Sequence, residues 1–246
     1  MPPSQTTATG LHLDSAGYAV AGKVILSGIS LHLTEARIGI VGRNGSGKTT
    51  LLRLMAGLIT PSTGSVRVAG ADPTKDRRAM LARLGILFQN PDHQILFPTV
   101  EEELGFGLLQ MGQSRSTAAA AVSDLLAREG RAHWAKAPVQ TLSQGQRHYL
   151  CLLSVLLMEP QVILLDEPFA GLDLPTQARL ARRVAGLGQQ VIIVSHDPAA
   201  VSGVDRVIWV EGGQVKADGA APAVLQAFVQ EMARIGGQDA DAALSC

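Results

Sequence analysis

Nine consecutive residues carry the clearest chemistry: Gly42-Arg43-Asn44-Gly45-Ser46-Gly47-Lys48-Thr49-Thr50, which fits the pattern G-x-x-x-x-G-K-[ST]. Placed between an apolar strand (residues 38–41) and a leucine-rich helix that starts at Thr50, such a loop is built to hold phosphate. The glycines let the backbone curl until successive N–H groups point at one anion, and the helix adds the positive end of its dipole. Lys48 would reach the β- and γ-phosphates of a nucleotide, and the Thr49 hydroxyl would ligate Mg²⁺. A glycine-rich turn that merely caps a helix needs neither Lys nor Thr at these places.

Three further groups can serve the same chemistry. Residues 162–167 read Val-Ile-Leu-Leu-Asp-Glu, a buried strand ending in two acids. Carboxylates at the carboxyl end of a parallel strand sit where such sheets bind ligands. Asp166 would hold the water shell of Mg²⁺, and Glu167 would orient and polarise the water that attacks the γ-phosphate. An Asp-Glu pair alone is often only a solvated strand end, and this one gains its force from the phosphate loop.

Ser143 with Gln146 three residues on is a capping box at the start of a long helix. The box does not explain Gly145, which costs up to about 1 kcal/mol in a helical turn relative to Ala. Something must therefore approach the backbone closely there, and a second phosphate at this helix N-terminus fits. His196 follows the apolar residues 191–194 and precedes Asp197-Pro198, a predicted N-cap and first helical residue. It lies at the sheet edge of the loop and the acids, which predicts a hydrogen bond to the γ-phosphate. The histidines at 12, 32, 93, 133 and 148 receive no role.

The elements that must position these groups are legible as runs. Residues 38–41, 84–88, 162–165 and 191–194 are short, apolar and unalternated, as in strands buried on both faces of a mostly parallel sheet. Residues 11–13, 24–26, 29–33 and 65–68 read as short antiparallel strands of a small β lobe. From 100 to 137 the pattern turns helical, with an alanine-rich stretch at 117–121, and a hairpin (207–217) and a helix (221–233) close the chain. The longest apolar run, 149–158, is far short of the roughly 20 residues of a membrane-spanning helix and reads as buried.

A chain of 246 residues, 46% hydrophobic, can bury a full core. Lys+Arg and Asp+Glu are both 21, so no basic field invites a nucleic-acid backbone and nucleic acid is not an expected partner. Cys151 and Cys246 make neither a metal-ligand spacing nor a disulfide framework, which implies a reducing compartment. The polar start at residues 1–7 lacks the features of a secretory signal, so the expected location is cytoplasmic, with any membrane role exerted through a partner.

Together these residues resemble the ATPase subunit of ABC transporters over roughly residues 10–230, with the parts in the family's order. Residues 42–50 match the Walker A motif, Gln89 the Q-loop glutamine, residues 142–146 the signature, and Asp166 and Glu167 the Walker B acids; Ala170-Gly171-Leu172-Asp173 matches the D-loop and His196 the switch histidine. The resemblance implies an α/β fold with a RecA-like, mostly parallel sheet core, an N-terminal antiparallel β lobe and an inserted helical lobe. Its implied limits are a flexible N-terminus over 1–10, one ATPase domain over 11–235 with the helical lobe at about 91–160, and a flexible tail over 236–246.

The same resemblance implies ATP and Mg²⁺ as cofactors, with Glu167, His196 and Gln89 acting in hydrolysis and Thr49, Gln89 and Asp166 holding the metal. The loop residues, Tyr18, Ser143, Gln144, Gly145, Gln146 and Asp173 would contact nucleotide. Two chains, identical or paralogous, would pair head to tail and enclose two ATP molecules between the loop of one and the signature of the other, which would account for Gly145. The signature departs from L-S-G-G-Q by having Gln144 as its third residue, although Ser143 and Gly145 keep their hydroxyl and N–H. Tyr18 stands about where the family stacks an aromatic ring on adenine; packing on the β lobe is the alternative.

Residues 88–107, with Gln-Asn-Pro-Asp-His-Gln and then Thr-Val-Glu and Phe-Gly, resemble the energy-coupling-factor branch of the family, which serves vitamin and transition-metal uptake. That implies a transmembrane coupling protein and a substrate-capture protein as partners, and a peripheral position on the cytoplasmic face of the plasma membrane. Pro168-Phe169 and residues 91–98 lean toward biotin-uptake ATPases over cobalt or nickel ones. Asn90, Asp92, Gln94, Ile95, Leu96 and Phe97 are expected to line a groove for a helix of the coupling protein, the alternative being that the apolar three pack inward. A soluble ATP-gated clamp of DNA repair shares the signature, but it needs a long coiled coil between the nucleotide motifs that this chain lacks. A P-loop small-molecule kinase would leave the signature and D-loop unexplained.

Overall fold

In the computed structural model, residues 10–75 and 77–237 are described. The expected flexible ends, 1–10 and 236–246 with Cys246, lie outside them except for Gly10, Gly236 and Gly237. Leu11–Val20 (β1) and Lys23–Leu33 (β2) form an antiparallel hairpin. Two short strands were expected over 24–33; one continuous strand is found, because β1 runs far enough to pair with all of it. The Ser27-Gly28 interruption, with Gly28 at φ +62°, is absorbed where the register shifts between Ala16 and Tyr18.

Arg37–Val41 (β3) leads through the glycine loop into Lys48–Met55 (α1), two residues earlier than expected because Gly47, left-handed at φ +106°, caps the helix itself. Thr63–Val68 (β4) pairs with β1 to complete a three-stranded antiparallel sheet in the order β2-β1-β4. After Arg77–Leu81 (α2) and Leu84–Leu87 (β5) the chain enters the helical lobe, Val100–Gln110 (α3), Arg115–Arg128 (α4) and Gln144–Leu157 (α5). The helical pattern expected over 100–137 holds as far as Arg128, beyond which 3-10 turns at Ala132–Trp134 and Val139–Thr141 carry the chain to α5.

Val162–Asp166 (β6), Leu174–Ala185 (α6), Gln190–Ser195 (β7), Arg206–Glu211 (β8), Gln214–Ala220 (β9) and Ala221–Gly236 (α7) complete the order. The main sheet runs β5-β6-β7-β3-β8-β9, parallel throughout except for the β8-β9 hairpin. Its central strands are buried on both faces, which is why they read as unbroken apolar runs. Ile163, Leu165, Val191 and Ile193 face the core shared with the helical lobe and α7; Val162, Leu164, Ile192 and Val194 face the core shared with α1 and the β lobe.

Register then brings the chemistry together. Val41 lies opposite Ser195 and Asp166 opposite Val194, so β3, β6 and β7 end level with one another. The glycine loop, Asp166-Glu167 and Ser195-His196 all leave the sheet at that one edge.

Candidate functional site

Gly42 begins the loop where a side chain has no room: a Cβ would run into the Val210 carbonyl and the Ser46 hydroxyl. Gly47 is equally constrained, since its Cβ would lie 2.8 Å from Leu26 Cδ2. The β8-β9 turn braces the curl from outside, Gly213 donating to the Ser46 carbonyl (3.0 Å) while its own carbonyl accepts from Ser27 N–H (3.0 Å). Inside the curl the Ser46 hydroxyl is buried with no hydrogen-bond partner, an arrangement that costs desolvation unless a ligand atom meets it.

Lys48 is buried, and its ammonium donates to the Gly42 (2.8 Å) and Arg43 (2.9 Å) carbonyls. Burial pushes its pKa below the usual lysine value; the charges of Glu167, Asp166 and Glu211 pull the other way. Arg43, Asn44, Gly45 and Thr49 are exposed and Thr50 is half-buried.

Asp166 ends β6 and is buried, which raises its pKa; the neighbouring charge of Glu167 adds to the rise, and Arg53 and Lys48 oppose it. Glu167 continues the ladder by donating its N–H to Val194 O (2.9 Å), then turns at φ +46°. Its carboxylate is held from two sides. Oε2 accepts from the Ser195 hydroxyl (2.8 Å), and Oε1 accepts the His196 N–H (2.8 Å) and lies 2.7 Å from His196 Nδ1. Glu167 and His196, expected to act separately on the phosphate, are joined here to each other and to Ser195, a residue with no role expected from the sequence. A lone polar residue closing the apolar run of β7 was the available signal.

Ser143 caps α5, accepting from Gln146 N–H (3.3 Å) while its own N–H goes to Gln146 Oε1 (2.8 Å), the expected reciprocal box. Gly145 has a close neighbour within the chain: a Cβ there would lie 2.9 Å from Thr176 Cγ2, so the packing of α6 against the start of α5 itself calls for glycine. Gln144 reaches Gly171, and Asp173 caps α6 by accepting Thr176 N–H (2.8 Å); the Thr176 hydroxyl first and this N–H second hold its carboxyl below the usual range. The side-chain hydrogen bonds of Ser143 and Gln146 join the two to each other and none reaches residues 42–50.

Gln89 is exposed just past β5. Beyond it Asn90 caps a 3-10 turn, Pro91–His93, by accepting Asp92 N–H (2.9 Å), and Gln94 accepts Phe88 N–H (3.1 Å). The Asp92 carboxylate lies 3.1 Å from Arg147 Nε, and Arg147 also donates to Leu142 O (2.8 Å), tying this segment to the start of α5. The apolar three divide: Ile95 packs against the core, Phe97 lies against Phe106 with centroids 4.9 Å apart, and Leu96 is 68% exposed. Buried Glu103, a residue without sequence signal, accepts the N–H groups of Leu96 (2.8 Å) and Phe97 (3.0 Å). Tyr18 is half-buried on the β-lobe core and pairs with Leu26, the side chain against Gly47.

Among the described residues no group of three or more His, Cys, Asp or Glu could hold a metal. A cation here would depend on the oxygens of Thr49, Asp166 and Gln89 together with those of a phosphate, a donor set of the hard kind that suits Mg²⁺. No helix among the described residues is long and apolar enough to cross a membrane.

Residues 26–170 match the ABC transporter family. A biotin transport ATP-binding protein, BioM, of Rhodobacter capsulatus is 51% identical over 218 residues, 87% of this chain and 93% of that one. The protein of the same description from Rhizobium etli is 38% identical over 208 residues, 85% and 92% of the two chains. Among solved structures, cbiO1 of Clostridium perfringens, described as part of the ABC transporter complex cbiONQ, superposes with a TM-score of 0.77 at 28% identity over 95% of this chain and 96% of that chain.

Proposed function

Because the chain belongs to the ABC transporter family as an ATP-binding subunit, we propose that it is the ATP-hydrolysing motor of an energy-coupling-factor importer, with biotin as the favoured cargo. The observation that carries the hydrolytic reading is the level ending of β3, β6 and β7, which gathers Lys48, Asp166, Glu167 and His196 beside a loop with an unpartnered buried hydroxyl. In this reading the loop N–H groups take the ATP phosphates, and Lys48 exchanges the two loop carbonyls for β- and γ-phosphate oxygens. Thr49, Asp166 and Gln89 would hold Mg²⁺, which when bound neutralises phosphate charge. Glu167 orients and polarises the attacking water. With Nδ1 of His196 on Glu167, its Nε2 is the nitrogen left to face the γ-phosphate.

Ser143 and Gly145 serve the nucleotide of a second ATPase chain, identical or paralogous, paired head to tail. Tyr18 supplies the adenine platform, an extension of its place opposite Leu26, the residue that packs against Gly47. A helix of the transmembrane coupling protein docks on the exposed segment around Leu96 and so keeps the chain at the cytoplasmic face, with a separate capture protein choosing the cargo. The names of the two BioM relatives support biotin.

The test has two stages. The full chain should hydrolyse Mg-ATP at a rate unchanged by added DNA, and DNA stimulation would favour the repair-clamp reading. Co-expressed with its membrane partners in a host unable to take up biotin, it should drive biotin accumulation that Lys48→Ala abolishes. Uptake of cobalt or nickel with no biotin uptake would overturn the cargo assignment and leave the motor assignment standing.

A further inference from the structure

Ser195 closes a strand that otherwise reads Gln190-Val191-Ile192-Ile193-Val194, and it is 2% exposed, less than Ser46, Lys48 or Asp166. A hydroxyl at such a depth destabilises the fold unless it is matched on both sides. Its Oγ accepts the Asp197 N–H at 3.1 Å and lies 2.8 Å from Glu167 Oε2. An ionised carboxylate can only accept, so the hydroxyl proton must point at Glu167 and the direction of the chain is set: Asp197 N–H to Ser195 O–H to Glu167. The other carboxylate oxygen is taken by the His196 N–H. Glu167 itself sits at φ +46°, a conformation that a side-chain-bearing residue keeps only where its surroundings hold it.

We propose that Ser195 is a positioning residue for hydrolysis, its hydroxyl fixing the rotation of the Glu167 carboxylate so that the attacking water meets it in one orientation. This rests on the hydrolytic reading above and deepens it. The terminal torsion of a glutamate is broad, so a carboxylate that loses its Oε2 donor turns more freely and spends less time aimed. Nucleotide binding, which uses the loop and Lys48, does not pass through Ser195.

Steady-state Mg-ATP hydrolysis by the full chain tests this with S195A, S195T, S195C, E167Q and the double variant E167Q/S195A. S195A should lower kcat roughly tenfold or more, the scale of a mispositioned group, with KM within about twofold of wild type. S195T keeps the hydroxyl and should recover most of the rate. S195C keeps the volume but is a weak donor and should fall like S195A, so it decides the matter if S195A melts early. In single turnover, S195A should cost nothing further once Glu167 is Gln. Wild-type kcat in both S195A and S195C overturns the proposal, as does an equal fall from S195A in the wild-type and E167Q backgrounds. A wild-type chain that does not hydrolyse Mg-ATP at all would overturn the hydrolytic reading and this proposal with it.

Discussion

Gly145 and Thr176 hold the N-termini of α5 and α6 together: the place of a Cβ on the glycine is 2.9 Å from the threonine methyl and 3.3 Å from its hydroxyl. The signature and the D-loop, which Gln144 also reaches at Gly171, therefore share one packed corner. Gly145→Ala gains up to about 1 kcal/mol of helix propensity, yet must push the two helices apart. The variant should lose melting temperature and ATPase activity together. Adding Thr176→Ser removes the offending methyl and should restore both. Loss of activity in Gly145→Ala that Thr176→Ser does not recover, at wild-type melting temperature, would return the glycine to a purely phosphate-binding role.

Lys48→Ala removes the buried ammonium from the loop while leaving the Gly42 and Arg43 carbonyls in place. Hydrolysis should fall by at least roughly 100-fold, the effect of deleting one preorganised donor facing a developing charge. Isothermal titration with Mg-ATP and a phosphate-release assay check it; wild-type turnover would remove the loop from the mechanism.

Glu167→Gln should bind Mg-ATP and hydrolyse it about 100-fold more slowly, since the amide cannot polarise water as a carboxylate does. The retained nucleotide should hold two chains together. Size-exclusion chromatography in ATP that shows only monomer, with no partner chain restoring the pair, would exclude the head-to-tail arrangement.

Ile95 and Leu96 are neighbours with opposite surroundings, one packed on the core and the other 68% exposed. Ile95→Asp should lower the melting temperature by roughly 5 °C or more, because a charge enters apolar packing. Leu96→Asp should leave it within about 1 °C, as exposed substitutions do, and fail to co-purify with the membrane partner. Normal partner capture by Leu96→Asp would move the docking surface elsewhere.

His148 is 1% exposed on α5 and its Nε2 has no hydrogen-bond partner; burial lowers its pKa below the ordinary 6.5. A group with a depressed folded-state pKa contributes stability above its unfolded value and loses it as pH falls through the folded one. Melting temperature should therefore drop as pH is taken below 6.5, and His148→Leu should flatten that drop. An unchanged slope in the variant would assign the acid sensitivity to other groups.

What could be read from the sequence was chemistry carried by near neighbours in the chain. The glycine loop, the Asp166-Glu167 strand end and the Ser143/Gln146 box each lie within one element and its cap, where spacing alone has physical meaning. What escaped depends on pairing between elements. The Glu167-His196-Ser195 contacts span 28 and 29 residues and exist because β6 and β7 pair in register. The Gly145-Thr176 contact needs two helix ends to meet, and Glu103 takes its role from a loop that folds back over α3. The unbroken β2 has a similar cause, since its Ser27-Gly28 punctuation is overruled by pairing with β1 along nearly its whole length.

The order of the main sheet also sets when the loop can be completed. β3 carries the loop and is the first strand of that sheet to be synthesised, yet both its neighbours, β7 and β8, begin about 150 residues or more further on. The Gly213 N–H that braces the Ser46 carbonyl comes later still. A nascent chain thus exposes an unpaired apolar strand through most of its translation, the kind of edge that invites wrong pairing. Any fragment ending before Arg206 leaves β3 with one open side, so the nucleotide loop cannot be transplanted or produced as an N-terminal piece without the strands that close around it.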